Sequence, residues 1–496
     1  RRVHAGHTRA ATPPVGATTK REMASPGATS VCMISDFFYP SMGGVENHVY
    51  QLAQCLLMQG HKVVVVTHRY GQRCGVRWLP RGLKVYYLPF CGVHDRVILP
   101  TGLMLLPLLR DVLIRERITM VHAHAVCTMA LEAVTLCSLM GYHVVYTEHS
   151  NFGMSSPTDI NLNALERFVL SLADTVVTVS YTSKENVVLR CQLDPSLVYV
   201  IPNAIDPTQF TPDPDNVSPA GTVNIVVMTR LVWRKGVHLL VHLIPEVCRR
   251  FPYVHFIVGG DGPKRAALEE MRDRHQLQER VELLGAIAHC DVPRVLTRAH
   301  IFLSTSLTEA FCISILEAVA CGLRVVSTKV GGVPEILPRH LLQFAEPNGP
   351  ALLACLSGAV SSIRHASHAS SEAASFHREI SARYSWHDVA RRTTRVYEDA
   401  AKLRPRMGFA ERLRALAELG PVAGPVAILV LAAQYLLLVL VRARRPAHAI
   451  EPAPELPVHA FSAKRAKLEQ LPLSAAFRAT LGGKGGEPRL VVGGIW

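Results

Sequence analysis

The chain has 496 residues, 49% of them apolar, a mean hydropathy of +0.19 and a formal net charge of +14. That length holds two or three domains with their own cores, and the apolar share is that of a folded protein with some membrane character. The charge suits an anionic membrane surface or phosphorylated ligands; with no zinc-finger spacing and no run of five consecutive Lys/Arg, nucleic acid is not an expected partner.

Residues 1–29 are basic, rich in Ala, Thr and Gly, and lack an apolar stretch of the kind a secretory signal carries; a disordered tail is expected. Val31 to Ser35 reads as a short apolar strand, followed by a loop from Asp36 to Gly44. Val45, Val49, Leu52, Ala53, Leu56 and Leu57 then recur at helical spacing, with Gly60 just past the end. Lys62 to Thr67 is a β-branched strand, so the unit reads β-α-β on a buried parallel sheet. Further strands are expected at Met120 to His122, His143 to Thr147 and Thr175 to Ser180.

Ile201 to Pro219 breaks the rhythm and reads as a Pro/Asp-rich linker. A second alternating series has strands at Val223 to Met228, His255 to Val258, Val281 to Leu284, Ile301 to Leu303 and Leu323 to Ser327. The expected architecture is therefore α/β, with two doubly wound domains, 30–202 and 203–385, facing each other across a cleft at their strand ends. Ser361 to Ser381 reads as a mobile surface segment or a poorly packed helix, and 386–419 as a C-terminal helix with a juxtamembrane segment. Residues 420–441 hold about 22 residues without a charge, long enough to span a bilayer. Lys402, Arg404, Arg406, Arg412 and Arg414 before it, against Arg442, Arg444 and Arg445 after it, place the large N-terminal part in the cytosol. The tail 442–496 is assigned no fold. The twelve Cys form no CxxC pair and lie mostly in apolar stretches, which favours a reducing compartment over a disulfide framework.

The chemistry concentrates in Ser304 to Leu337. Glu309 and Glu317 stand eight positions apart across a loop-to-helix junction whose unpaired N–H groups and positive dipole end suit an anion. One carboxylate can face a sugar while the other reaches a ribose, the layout of a nucleotide-sugar site. Gly43 and Gly44 open the first helix, where a diphosphate can approach the backbone. Arg230 and Lys235 follow the first strand of the second domain and can neutralise a leaving diphosphate, although most such pairs are solvated surface charge. Gly260 lies in a tight turn after the next strand, and Leu283 to Ile287, with Leu284, can hold a uracil ring through backbone groups. His149 follows a strand of the first domain, where a lone His is more often a structural hydrogen bonder than a catalyst. His122 and His124 lack the further ligands a metal needs, and Asp213-Pro214-Asp215 reads as a turn. No metal and no other cofactor is expected.

The order of these pieces resembles the retaining glycosyltransferases of the GT-B fold, over Val31 to about Lys402. Glu309 and Glu317 match that family's E-x7-E signature, Arg230 and Lys235 its diphosphate pair, and Gly43-Gly44 its N-terminal glycine loop. SDFFYPSMGGVENHVYQL, SYTSKENVVLR, IPNAIDPTQFTPDP, GGDGPKR, LGAIAHCDV and STSLTEAFCISILEAVACGL resemble more closely the catalytic subunits of phosphatidylinositol N-acetylglucosaminyltransferase. The resemblance implies transfer of N-acetylglucosamine from UDP-GlcNAc to phosphatidylinositol, the first step of glycosylphosphatidylinositol anchor synthesis. It also implies a multi-subunit complex on the cytosolic face of the endoplasmic reticulum membrane. The implied donor site comprises Gly43, Gly44, Arg230, Lys235, Gly260, Leu284, Glu309, Cys312, Ile313, Ser314 and Glu317, with His149 at the sugar. Two alternatives stay open: a membrane-bound transferase of the same fold moving another sugar, and a non-catalytic scaffold.

Overall fold

The computed structural model describes residues 28–454 apart from 42, 95, 154–156, 217–220, 365–368 and 404–406. Most of residues 1–29 and 442–496, the two expected tails, thus lies outside the described residues.

The first lobe runs β1 (Ser30–Ile34), α1 (Gly44–Met58), β2 (Lys62–Arg69), β3 (Gly75–Leu79), β4 (Leu83–His94), β5 (Val97–Ile98), α2 (Leu105–Arg115), β6 (Met120–His124), α3 (Thr128–Met140), β7 (His143–Glu148), α4 (Pro157–Ser171), β8 (Thr175–Thr178), α5 (Tyr181–Cys191) and β9 (Val198–Val200). Its sheet is ordered β3-β4-β2-β1-β6-β7-β8-β9, with β5 paired to β4. Only β3 and β5 are antiparallel to their neighbour. β2 shows why: Val63, Val64, Val65 and Val66 are all buried, the mark of a parallel strand covered on both faces.

The second lobe runs β10 (Val223–Met228), α6 (Val237–Arg250), β11 (Val254–Gly259), α7 (Arg265–Arg274), β12 (Val281–Gly285), α8 (Val292–Leu296), β13 (Ile301–Ser304), α9 (Ile313–Ala320), β14 (Arg324–Thr328), α10 (Val333–Ile336), β15 (Leu342–Ala345), α11 (Gly349–Arg364) and α12 (Ala369–Arg383). Its sheet, β12-β11-β10-β13-β14-β15, is parallel throughout. In each sheet the strand order reverses beside the first strand: β1 lies between β2 and β6, and β10 between β11 and β13. The loops after these strands open a crevice, which is where ligands bind in such folds.

Three sequence expectations need correction. No strand is expected between Thr67 and Met120, yet the stretch holds β3, β4 and β5. The segment from Ser361 to Ser381 is a well-packed helix over much of its described length: Phe376 and Ile380 of α12 are buried, and His377 Nδ1 pairs with the Ala320 carbonyl of α9 at 2.9 Å. The segment 201–212 is no loose tether, since Ile201, Ala204, Ile205 and Phe210 are buried in a core cluster shared by both lobes.

After α12 the chain returns to the first lobe. α13 (Trp386–Lys402) buries Trp386, Val389, Ala390, Val396 and Tyr397, one stripe of an amphipathic helix, against α1 and β7. Tyr397 Oη meets His122 Nδ1 at 2.8 Å, and Arg392 donates to the Val200 carbonyl at 2.5 Å. α14 (Phe409–Ala417) and α15 (Ala423–Arg444) follow. Among the described residues, α15 is the one helix long and apolar enough to cross a membrane by length and composition. It exposes Val426, Leu429, Leu436 and Leu440 while Leu431 and Leu438 are buried.

Candidate active site

Four loops at the two switch points carry the candidate residues. After β10 the chain passes Arg230, which is exposed, and makes a 3₁₀ turn over Trp233–Lys235. That turn is tied to the loop after β13: Thr305 Oγ1 donates to the Lys235 carbonyl at 2.9 Å, and Leu307 N to the Arg234 carbonyl at 2.8 Å. Gly236, at φ +69°, lets the two backbones touch, because a Cβ there would sit 1.9 Å from the Thr305 carbonyl oxygen. The result is a close ion pair between Lys235 Nζ and Glu309 Oε1, with side chains 18% and 10% exposed. Ser306 Oγ donates to the same carboxylate oxygen at 2.8 Å, so both partners of this side chain sit on Oε1.

α9 begins beside this pair. Cys312 is its N-cap, and the first-turn N–H groups of Ile313 and Ser314 have no intrahelical acceptor. Burial pushes the Cys312 thiol up to about 12, so it stays neutral and does not compete with an anion. Gly44, the first residue of α1, lies opposite: a Cβ there would meet Ile313 Cδ1 at 3.7 Å. The starts of two helices, one from each lobe, thus lie side by side, and each offers the positive end of its dipole. Glu317, a turn into α9, is nearly buried, and its Oε1 pairs with His289 Nε2 at 3.0 Å. Gly260 takes φ +130°, where a Cβ would strike the Thr229 carbonyl oxygen, and its N–H bonds to the Gly285 carbonyl at 2.7 Å. Leu284 lies on β12, half-buried against the shared core.

The first lobe supplies the loop after β7. Glu148 Oε1 accepts from the backbone N–H groups of His149 (2.9 Å) and Ser150 (3.0 Å), which fixes the turn. Burial, then the neighbouring Glu166 charge, raises the Glu148 carboxyl to about 8, with Arg190 opposing. Asn151 Nδ2 crosses to the Glu309 carbonyl at 3.1 Å, and Gly332 N donates to the same oxygen at 2.9 Å. A second clamp joins the lobes: Glu335 of α10 accepts from Tyr181 N (2.6 Å), Thr182 N (2.7 Å) and Thr182 Oγ1 (2.6 Å) at the start of α5.

His149 does not stand alone. His48 of α1 and His124 of β6 join it, each of the three placing a ring nitrogen within 4.8 Å of the others. The group takes in His124 but not His122, whose two ring nitrogens meet Tyr397 Oη and Thr147 Oγ1. Hydrogen bonds already engage them: His48 Nδ1 with Asn203 Oδ1 at 2.7 Å, and His124 Nδ1 with His149 Nε2 at 3.4 Å. Burial lowers His48 to about 4 and His122 to about 3, and burial plus the neighbouring imidazoles lowers His124 and His149 well below the usual histidine range. The cluster is neutral at physiological pH.

The structure thus gathers Gly44, Lys235, Glu309 and Ile313 around one crevice, with the His149 loop tied to it through Asn151. Two cavities lie outside it, one between Arg110, Tyr142 and Arg442, the other between Met58, Ile205 and Trp386. Sequence reading missed His48, Glu148, Asn151, His289 and Glu335. Glu148 and Asn151 adjoin His149 in the chain, which was their one signal.

Two facing doubly wound lobes with a basic, carboxylate-lined crevice at their switch points define a GT-B glycosyltransferase. Sucrose-phosphate synthase from Thermosynechococcus elongatus superposes with a TM-score of 0.61 at 19% identity, covering 75% of this chain and 98% of that one. Anabaena HepE in complex with UDP gives 0.59 at 18%, covering 75% and 100%. The family described as glycosyl transferases group 1 matches residues 212–349, and that described as PIGA (GPI anchor biosynthesis) matches residues 68–156. A human phosphatidylinositol N-acetylglucosaminyltransferase subunit is 46% identical over 86% of this chain and 87% of its own length. Its Arabidopsis thaliana counterpart is 48% identical over 88% and 96%. The chain belongs to the PIGA family of phosphatidylinositol N-acetylglucosaminyltransferase subunits.

Proposed function

We propose that the chain transfers N-acetylglucosamine from UDP-GlcNAc to phosphatidylinositol with retention of configuration, the first step of glycosylphosphatidylinositol anchor synthesis. The names of its relatives support the reaction, and the Lys235–Glu309 pair facing the start of α9 is the observation that carries the chemistry.

The donor diphosphate lies between the α1 start at Gly43-Gly44, Arg230, Lys235 and the N–H groups of Ile313 and Ser314. Fixed donors and cations offset the charge that grows on departing UDP. Leu284 and Gly260 border the uridine, and Glu317 accepts from the ribose hydroxyls. Glu309 presents Oε2 to the transferred sugar and its developing positive charge, and His149, neutral, hydrogen-bonds a sugar hydroxyl. The bond from the anomeric carbon to the β-phosphate oxygen breaks as the inositol oxygen attacks from the same face. The inositol hydroxyl proton passes to the leaving phosphate, so this route needs no enzyme nucleophile, unlike a double displacement.

α15 anchors the chain beside its lipid acceptor, in the endoplasmic reticulum membrane with the lobes in the cytosol, as one component of a multi-subunit complex. Confinement to the plane of the acceptor raises its effective concentration. The test is an assay of membranes with radiolabelled UDP-GlcNAc and phosphatidylinositol. Glu309→Gln should lower turnover far more than donor affinity; equal loss of both, or labelled lipid only from another UDP-sugar, would overturn the reading.

A further inference from the structure

Glu317 is held from outside its own helix. His289 lies in the loop after β12, and its Nε2 stands 3.0 Å from Glu317 Oε1. A carboxylate only accepts, so the imidazole donates from Nε2. Glu317 Oε2 has no partner among the described residues and is left for a ligand. His289 is itself fixed from the segment between the lobes. The Phe210 ring meets the imidazole edge-on with centroids 5.6 Å apart, and Gln209 Nε2 donates to the His289 carbonyl at 3.2 Å. Phe210 and Gln209 are both buried, so they form a rigid support.

A glutamate side chain has three rotatable bonds and loses affinity for a ligand each time it must be ordered on binding. A charge-assisted hydrogen bond to one oxygen sets the carboxylate in advance and aims the other. We propose that His289 is a positioning residue for nucleotide recognition: it orients Glu317 toward the ribose, and through Gln209 and Phe210 it ties ribose recognition to the interlobe segment. This rests on the reading of Glu317 as the ribose acceptor. A site built to bond a hydroxyl rejects an analogue that lacks it, so the orientation of Glu317 governs the preference for ribose over deoxyribose.

The experiment titrates the full chain, in its complex, with UDP and with 2′-deoxy-UDP by calorimetry. His289→Ala should weaken UDP by about 5–30-fold and 2′-deoxy-UDP much less, so that the preference between them collapses. His289→Gln, which keeps an N–H donor, should recover part of it, and Gln209→Ala should move the same way by less. In turnover assays His289→Ala should raise the donor KM and leave kcat nearly unchanged. Equal weakening of both nucleotides by His289→Ala would overturn the inference, because a merely disturbed fold behaves so. Glu317→Gln separates the two claims: if it leaves the preference intact, the ribose reading itself fails; if it abolishes the preference while His289→Ala does not, the positioning role alone fails.

Discussion

Gly236→Ala perturbs the crevice through a single methyl group. Two costs arise. Alanine must adopt φ +69°, which costs an L-residue about 1–2 kcal/mol. Its Cβ would also stand 1.9 Å from the Thr305 carbonyl oxygen and 2.8 Å from the carbonyl carbon, and overpacking of this kind costs about 1–3 kcal/mol. The contact is backbone to backbone, so no side chain can swing away; either the Lys235 turn or the loop leading to Glu309 must retreat by about 1 Å, a misplacement that can cost on the order of 100-fold in turnover. Gly82→Ala is the control, since φ is +77° there and nothing lies within 4 Å of the added Cβ. It should incur the conformational cost alone. Thermal unfolding and radiolabelled transfer in membranes measure the two effects. If Gly236→Ala proves indistinguishable from Gly82→Ala in both, the packing of the Lys235 turn on Thr305 does not set the catalytic geometry, and the reasoning fails.

Other outcomes are accessible to similar measurements. Glu335→Ala removes the acceptor of two first-turn N–H groups of α5, whose N-cap Ser180 remains, and one interlobe clamp, and should lower stability by about 0.5–2 kcal/mol, read by thermal unfolding; an unchanged transition would mean the lobes are held elsewhere. Asn151→Ala loses its bonds to the Glu309 carbonyl and to Ser183 Oγ (2.7 Å), and should cut kcat by about 5–30-fold with UDP affinity retained, measured by turnover and calorimetry. The folded-state value of His48, about 4, lies below its unfolded value, so the unfolded chain binds more protons as pH falls through that window and stability is lost on acidification. His48→Gln should therefore lose less stability than the native chain between about pH 7 and pH 5, by about 2 kcal/mol. Parallel losses in the two proteins would contradict a buried neutral His48.

The parallel strands were legible where β-branched residues run unbroken, as in Val63 to Val66. β4 was not, because Pro89 and Gly92 interrupt its pattern and its register with β2 slips after His68. Lys235 and Glu309 were legible as residues just past strand ends, positions that a doubly wound sheet turns toward its crevice. Their direct pairing was not, since it depends on Gly236 permitting a backbone contact that no spacing encodes. His289, Asn151 and Glu335 act on partners 28, 158 and up to 154 residues away, and each looks in sequence like ordinary loop or surface polarity. α12 was misjudged from its Ser, Ala and His content, because Phe376 and Ile380 suffice to bury one side of it. α13 was expected as a helix, but its seat on the other lobe depends on a stripe that names no partner.

The return of α13 to α1 and β7 means that the polypeptide passes between the lobes twice. The outward pass at Ile205 and the homeward pass at Ser385 are joined by a β-bridge. The first lobe is thereby completed by residues translated after the whole of the second. A ribosome-bound chain truncated near residue 202 lacks the helix that brings Tyr397 to His122, so the N-terminal lobe gains that packing only after its neighbour has been made.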